Sequence, residues 1–161
     1  MHSHPSSNSV SIAYRVPYAD TDMMGVVYYG NYLTYFERCR NELMRATGVT
    51  YRQMEEEGAM LPVIEAHVDY KRPAHYDDEL TLTGWLEYAG GVKMKVRCQV
   101  TRGGEVLASG YTIHACVSTK TNRPLRVPPY LAALGAAPTP RSQTWSSPPI
   151  RPRRSGPNAR L

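Results

Sequence analysis

The chain has 161 residues, a length typical of one domain, and 42% of them are hydrophobic, which is enough for a folded core. Five arginines in residues 138–161 account for the whole net charge of +5, so the rest of the chain is neutral and has no charge excess for binding nucleic acid. No apolar run reaches the roughly 18–20 residues of a membrane helix, which excludes an integral membrane protein, and no secretory signal is visible. The three widely spaced cysteines form no CxxC pair, which fits neither a disulfide scaffold nor a zinc cage and favours a reducing cytoplasm.

The first half of the chain predicts one strand and one long helix. Residues 1–9 are polar and are expected to be a disordered extension. Apolar and polar residues alternate over residues 10–16, which predicts a strand, and a polar loop follows over residues 18–25. Residues 30–47 carry an apolar stripe at spacings of three and four, which predicts a helix that ends at Gly48.

The second half predicts a short helix and then strands. Thr50 and Gln53 form a capping-box pattern that opens the short helix, and Gly58 ends it. The hydrophobic period then changes from 3.6 to 2, which predicts four strands over residues 59–72, 79–88, 92–101 and 105–117. Gly-Gly pairs at 90–91 and 103–104 suit two-residue hairpin turns, so the last three strands are expected to form an antiparallel meander.

This element order predicts an α+β domain over residues 10–132. A helix with one apolar stripe and a mostly antiparallel sheet bury their apolar faces when the sheet wraps around the helix. Residues 133–161 are rich in proline and arginine and are expected to be a disordered tail. Either it is a passive solubilising extension or it contacts an anionic surface.

The most distinctive segment runs from Tyr18 to Glu37 and reads YADTDMMGVVYYGNYLTYFE. Its pattern, D-x-D-x-x-G-x-V-x-x-x-x-Y, closely resembles the signature of the hotdog-fold 4-hydroxybenzoyl-CoA thioesterase family. Within that family it is most similar to the bacterial acyl-CoA thioesterases whose genes neighbour the Tol–Pal system. The resemblance continues through residues 70–80 and 112–117 and spans roughly residues 10–130. The chain lacks GxGxxG, GxxxxGK[ST], GxSxG and HExxH patterns, so no motif indicates a nucleotide-binding protein, a serine hydrolase or a zincin.

The resemblance implies a long helix wrapped by a five-stranded antiparallel sheet, assembled into homodimers or homotetramers. It implies hydrolysis of an acyl-CoA substrate without a metal or other cofactor. Asp22 falls on the family's catalytic aspartate, and the backbone N–H of Tyr29 falls on the group that polarises the thioester carbonyl. Whether Asp22 attacks the carbonyl or activates a water molecule stays open.

The chemistry of the residues agrees with this assignment. Backbone N–H groups around Tyr29, Gly30 and Asn31 are expected at a helix N-terminus, where unpaired donors and the helix dipole stabilise an oxyanion. Gly30 has no Cβ, so a ligand is expected to approach the backbone there. Tyr32 is a further candidate for the substrate pocket, although tyrosines at helical spacing commonly belong to a core.

Two departures from the family pattern concern the substrate. Several Tol–Pal-associated members carry histidine where this chain has Tyr29, whereas the hydroxybenzoyl-CoA type has tyrosine there. The hydroxybenzoyl-CoA type also has a basic cluster near the position of Gly90 that grips the CoA phosphates. In this chain the nearby basic residues are on one face of a predicted strand, which is either solvated or holds those phosphates: Lys93, Lys95 and Arg97.

Other polar residues have structural interpretations. Asp20 is expected to stabilise the loop by accepting backbone N–H groups. Glu37 is either on a solvated helix face or catalytic, as a helical glutamate is in a related hotdog type. Three scattered histidines, His67, His75 and His114, show no metal spacing and are expected to be structural, with no acidic partner.

The sequence therefore predicts an acyl-CoA thioesterase that neither binds nucleic acid nor inserts into a membrane. A second hypothesis is a non-catalytic module that binds acyl-CoA or an acyl carrier and acts through protein partners, for which the tail suits a docking role. A hotdog hydratase is a third hypothesis, but its motif normally has a histidine beside the acid, and this chain has none there.

Overall fold

One long helix lies against the concave face of a five-stranded antiparallel sheet. The computed structural model describes residues 8–135. Its helices are α1 (Asn31–Ala46), α2 (Tyr51–Glu56) and α3 (Pro129–Gly135), and a 3₁₀ turn spans Tyr18–Asp20. Its strands are β1 (Ser9–Arg15), β2 (Ala59–Met60), β3 (Val63–Tyr70), β4 (Glu79–Gly90), β5 (Lys93–Arg102), β6 (Glu105–Ala115) and β7 (Val117–Ser118). The sheet order is β1-β4-β5-β6-β3, and β2 pairs with β7 separately. This architecture confirms the predicted α+β hotdog fold.

The core lies between α1 and the inner face of the sheet. The buried residues of α1 are Tyr32, Tyr35, Phe36, Cys39, Leu43 and Met44. They face alternate residues of the central strands, such as Leu82 and Val96, which are fully buried. Gly84 on β4 allows the close approach, because a Cβ there would lie 2.8 Å from the Cβ of Cys39. Within the described part of the chain, no helix has the length and apolar character needed to span a membrane.

The predicted helices and the antiparallel meander are confirmed. Both members of the predicted capping box are present, because the Thr50 side chain accepts from Gln53 N–H and the Gln53 side chain accepts from Thr50 N–H. Gly103 and Gly104 both have positive φ, as the second hairpin turn requires. The first hairpin turn lies one residue later than expected, at Gly91 and Val92, because Gly90 pairs with Lys93 as the last residue of β4.

Two predicted strands are wrong in their continuity. The prediction over residues 59–72 divides into β2 and β3, because Pro62 has no N–H to continue a ladder. The prediction over residues 105–117 divides in the same way, since β6 pairs with β3 and β5 whereas β7 pairs with β2. The helix α3 was not predicted; its Leu131 is buried in the core.

The predicted extension (residues 1–9) and tail (residues 133–161) lie almost wholly outside the described residues, so their disorder stays a prediction. At the boundaries, Ser9 belongs to β1 and α3 continues to Gly135. All three cysteines are buried thiols without a disulfide.

Candidate active site

Asp22 begins a tight turn in the loop between β1 and α1. Its N–H donates to the carbonyl of Val26 (2.9 Å), and its carbonyl accepts from Gly25 N–H (3.0 Å). Its side-chain Oδ1 accepts from Met24 N–H (2.9 Å), which is an Asx turn. The other carboxylate oxygen, Oδ2, accepts no hydrogen bond from residues 8–135. The half-buried carboxylate is therefore held in place through one oxygen, and its second oxygen has no hydrogen-bond partner within this part of the chain.

The N-terminal end of α1 supplies two open backbone donors. Asn31 N–H donates to the Tyr28 carbonyl (2.9 Å), and Tyr32 N–H donates to the Tyr29 carbonyl (3.3 Å). The N–H groups of Tyr29 and Gly30, in contrast, have no acceptor within the described residues. Open donors at the positive end of a helix dipole are suited to stabilising a developing oxyanion. Asn31 was also expected to supply an open donor, and this expectation is wrong, because its backbone N–H is already bonded to the Tyr28 carbonyl.

Asp20 fastens the loop to the helix. Its carboxylate Oδ2 accepts from the hydroxyls of Tyr14 (2.6 Å) and Tyr35 (2.7 Å), and its carbonyl accepts from Asn31 Nδ2 (2.8 Å) and Tyr28 N–H (2.9 Å). Burial, with the hydrogen bond to Asp20, raises the pKa of Tyr14 to about 12. The expected partners of this aspartate were backbone amides, and the structure instead gives its carboxylate two tyrosine hydroxyls. Asn31 likewise uses its side chain on the loop rather than on a substrate.

Gly30 lies directly against the ring of Tyr28. A Cβ at this position would lie 2.8 Å from Cε1 of Tyr28. The space that a ligand was expected to use is therefore occupied by the Tyr28 ring, which also packs on the Tyr29 ring with centroids 4.5 Å apart. The pKa of Tyr28 is raised, first by its interaction with Tyr29, and the negative charge of Asp22 adds to this effect. Asp22 and the Tyr28–Tyr29 pair consequently share one electrostatic environment.

A cavity of about 300 Å³ opens beside the N-terminus of α1. Three tyrosine rings, those of Tyr29, Tyr32 and Tyr70, form its aromatic side, and the Tyr70 ring meets the other two edge to face, with centroids 6.4 and 5.2 Å apart. The other lining residues are Val26, Val27, Lys71, Arg72 and Pro73. Asp22 does not line the cavity itself, but its N–H is bonded to Val26, which does. The structure thus brings Tyr29 and Tyr32 together as expected and adds Tyr70.

The lysines expected to bind CoA lie elsewhere. Met94 and Val96 are buried against the helix, so the alternating Lys93 and Lys95 face outward on the opposite side of the sheet. Lys95 Nζ lies 3.0 Å from Glu87 Oε2 and 4.3 Å from the centroid of the Tyr111 ring. Arg97 is paired with the same glutamate at 3.2 Å. The structure does not bring these basic residues to the tyrosine-lined cavity, so a role for Lys93 and Lys95 in binding CoA stays a prediction.

Glu37 lines a second cavity of about 250 Å³, together with Arg40 and His114. His114 is buried, and its ring nitrogens lie 2.9 Å from Thr112 Oγ1 and 2.8 Å from the Leu61 carbonyl. Burial lowers the pKa of His114 to about 4, so this histidine is neutral near pH 7. His114 is therefore buried, neutral and bonded within the fold, which agrees with the structural role expected for it, and Glu37 lines a different cavity from the one that Tyr29 lines.

The other two histidines have acidic neighbours, which corrects the expectation that they have none. His67 Nε2 lies 3.1 Å from Asp69 Oδ1, and His75 Nδ1 lies 3.8 Å from Asp78 Oδ2. Among residues 8–135, no three histidine, cysteine, aspartate or glutamate side chains cluster as they would around a metal ion.

Sequence reasoning missed two sets of tyrosines at this site. Tyr14 and Tyr35 looked like ordinary core positions, and only the folded chain shows that both hydroxyls meet Asp20. Tyr70 belongs to the run before Pro73 that contributed to the resemblance, but the contact was not predictable because Tyr70 lies 41 residues from Tyr29 in the sequence.

The comparisons with known proteins agree with this geometry. The model of the Thioesterase-like superfamily matches residues 16–134. A putative acyl-CoA thioesterase of Bacillus subtilis, YneP, is 33% identical over 112 residues, which is 69% of this chain and 81% of that protein. The acyl-CoA thioesterase YbgC of Haemophilus influenzae is 31% identical, over 75% of this chain and 90% of the relative.

The solved structures include a similar enzyme. The DHNA-CoA thioesterase from Staphylococcus aureus superposes with a TM-score of 0.70 at 30% identity, covering 73% of this chain and 80% of that one. The match to the superfamily extends from the end of β1 to α3 and includes the Asp22 turn, the N-terminus of α1 and the tyrosine-lined cavity. The chain therefore belongs to the thioesterase-like superfamily.

Proposed function

We propose that this protein hydrolyses an acyl-CoA thioester to the free acid and CoA, with Asp22 as the reacting carboxylate and the N–H groups of Tyr29 and Gly30 as the oxyanion site. The observation that carries the proposal is a pair of backbone donors at the N-terminus of α1, preceded along the chain by the Asp22 turn; these donors and Oδ2 of Asp22 have no partner among residues 8–135. The superfamily match and the two acyl-CoA thioesterase relatives support the same reaction class.

The geometry supports two routes for Asp22. As a nucleophile, its Oδ2 attacks the thioester carbon, the CoA thiolate leaves, and water hydrolyses the resulting mixed anhydride. As a general base, Oδ2 takes a proton from a water molecule, which attacks the same carbon, and the C–S bond then breaks to release the CoA thiolate, which takes up a proton. In both routes the carbonyl oxygen becomes negatively charged, and donors that are already oriented at a helix N-terminus stabilise it without reorganisation.

The aromatic cavity is the proposed site for the acyl group. Its tyrosine rings and the valines Val26 and Val27 suit an apolar or aromatic acyl group. The similar enzyme from Staphylococcus aureus is named a DHNA-CoA thioesterase, and a relative from Synechococcus elongatus is named a 1,4-dihydroxy-2-naphthoyl-CoA hydrolase, whose naphthoyl group is aromatic. An aromatic acyl-CoA is therefore our first candidate substrate. This preference is that of the 4-hydroxybenzoyl-CoA type rather than that of the Tol–Pal-associated subgroup.

We also propose that the active unit is a homodimer or homotetramer in the cytoplasm. The strand β3 is at the edge of the sheet, and its Val63, Ile64 and Tyr70 side chains are about half exposed. An exposed edge strand with apolar side chains is a natural site for pairing with a second copy. Because Tyr70 also lines the tyrosine cavity, such pairing places the partner next to the substrate.

The test is release of free thiol from short, long and aromatic acyl-CoAs. We expect wild type to hydrolyse at least one of them, and Asp22→Asn to lower kcat by about 10²–10⁴-fold, the usual contribution of a reacting acid or base. Asp77→Asn, the same change at an exposed carboxylate beside Arg15, is the matched control and is expected to keep wild-type activity. Equal rates for wild type and Asp22→Asn contradict the assignment. Tight acyl-CoA binding without turnover by wild type supports the binding-module hypothesis instead.

A further inference from the structure

The peptide group that joins Tyr29 to Gly30 is held by a side chain from another element. The Tyr29 carbonyl accepts a hydrogen bond from the hydroxyl of Tyr70, the last residue of β3, at 2.7 Å. It also accepts the longer bond from Tyr32 N–H at 3.3 Å. Because a trans peptide is planar and its C=O and N–H point in opposite directions, a fixed Tyr29 carbonyl directs the N–H of Gly30 out of the N-terminus of α1.

The two open donors are thus oriented in different ways. The N–H of Tyr29 shares its peptide plane with the Tyr28 carbonyl, which accepts from Asn31 N–H as part of the helix itself. The N–H of Gly30 depends on the long bond within the first turn and on the short bond from Tyr70. A hydrogen bond to a peptide carbonyl also polarises the N–H of the same peptide, by roughly 10–30% per bond in a chain of hydrogen bonds.

The ring of Tyr70 is positioned for this task. It packs edge to face against Tyr29 and Tyr32 at the wall of the cavity, which fixes where the hydroxyl points. Burial raises the pKa of Tyr70, so the hydroxyl remains a donor throughout the neutral range.

We propose that Tyr70 is a positioning residue for the reaction: its hydroxyl holds and polarises the Tyr29–Gly30 peptide so that Gly30 N–H acts as a second oxyanion donor. This inference rests on the proposed function. It assigns the edge strand β3 a part in the chemistry that is separate from any role of the Tyr70 ring in lining the cavity.

The test is Tyr70→Phe, which removes the hydroxyl and keeps the ring. Loss of a whole oxyanion donor costs about 10²–10³-fold in rate, and Tyr70 acts through one of two donors, so we expect kcat to fall by about three- to thirtyfold. KM is expected to stay within about twofold, because ground-state binding of the acyl group uses the ring. Tyr76→Phe, at an exposed tyrosine beside Tyr18, is the matched control and is expected to keep both constants.

Infrared spectroscopy separates a positioning role from a structural one. In an Asp22→Asn background, a bound acyl-CoA carrying ¹³C at its thioester carbonyl reports how strongly the oxygen is polarised. We expect Tyr70→Phe to move the carbonyl stretch toward its frequency in free substrate, while Tyr76→Phe leaves it unchanged. An unchanged kcat, or a change confined to KM with an unshifted stretch, overturns the proposal. If wild type hydrolyses no acyl-CoA, the proposed function fails; if wild type and Tyr70→Phe are equally active, only this inference fails.

Discussion

The bonds made by Asp20 predict that a change of one oxygen in its carboxylate alters stability and catalysis together. In Asp20→Asn, the carboxylate that accepts from Tyr14 at 2.6 Å and Tyr35 at 2.7 Å becomes an amide. Hydrogen bonds to a charged acceptor contribute about 1.5–3 kcal/mol each, and bonds between neutral groups about 0.5–1.5 kcal/mol. Both hydroxyls donate to the same oxygen, Oδ2, so the amide oxygen of asparagine takes that place and accepts from both, but as a neutral acceptor. We therefore expect the free energy of unfolding to fall by about 2–3 kcal/mol.

The measurement is urea or thermal unfolding followed by circular dichroism, together with thiol release. For a chain of this size, that loss lowers Tm by roughly 5–10 °C. We expect kcat to fall as well, because the carboxylate bonds hold Asp20 in position. Its carbonyl accepts from Tyr28 N–H and Asn31 Nδ2, and these contacts connect the Asp22 loop to α1. Tyr35→Phe in the Asp20→Asn background should add less than it does in wild type, since the first change removes a bond that the second has already weakened.

A matched control is Asp77→Asn, whose carboxylate is exposed and lies 3.8 Å from Arg15. We expect it to change stability by less than about 0.5 kcal/mol. If Asp20→Asn is no more destabilising than this control, the reasoning on the carboxylate between two hydroxyls is refuted.

Two further predictions follow from the glycine and histidine contacts. Gly30→Ala should lower kcat at least tenfold, because the new Cβ displaces the Tyr28 ring, which packs on Tyr29 beside the proposed donors. Gly90→Ala, whose new Cβ meets no atom within 4 Å, should leave thiol release unchanged, and equal activities of the two variants would contradict the role of Gly30. His114 should destabilise the fold in acid: its pKa is about 4 in the folded chain and about 6.5 unfolded, so the unfolded state binds the proton first as pH falls. Between pH 7 and pH 4.5, wild type should lose about 2 kcal/mol more stability than His114→Gln in urea titrations, and parallel losses would rule this out.

Local patterns were sufficient to predict the elements that follow one periodic rule. The stripe of α1 and the alternation of β5 appear in the structure within one residue of the predicted ends. The breaks at Pro62 and Cys116 were not predictable from periodicity, because β2 and β7 are strands only through pairing with each other. The side-chain partners of Asp20 and Tyr29 were also not predictable, since they come from β1 and from the end of β3.

The open donors of the candidate site could be predicted because they belong to the backbone. Tyr29 and Gly30 were identified because a helix N-terminus leaves its donors unpaired whatever the side chains are. Lys93 and Lys95 were chosen for charge alone, and charge does not say which side of a sheet a residue faces or that Glu87 is within 3.0 Å of Lys95. Sequence therefore predicts the features of the candidate site that depend on local structure, and it does not predict those that depend on contacts between distant residues.

The central claim concerns where a thioester carbonyl binds, so the most direct measurement is a crystal structure with a non-hydrolysable acyl-CoA ketone analogue. We expect the carbonyl oxygen within about 3.2 Å of the N–H of Tyr29 or Gly30, and Oδ2 of Asp22 facing the carbonyl carbon directly or through one water molecule. An analogue whose carbonyl lies in the cavity of Glu37 and His114, away from α1's N-terminus, would contradict the account.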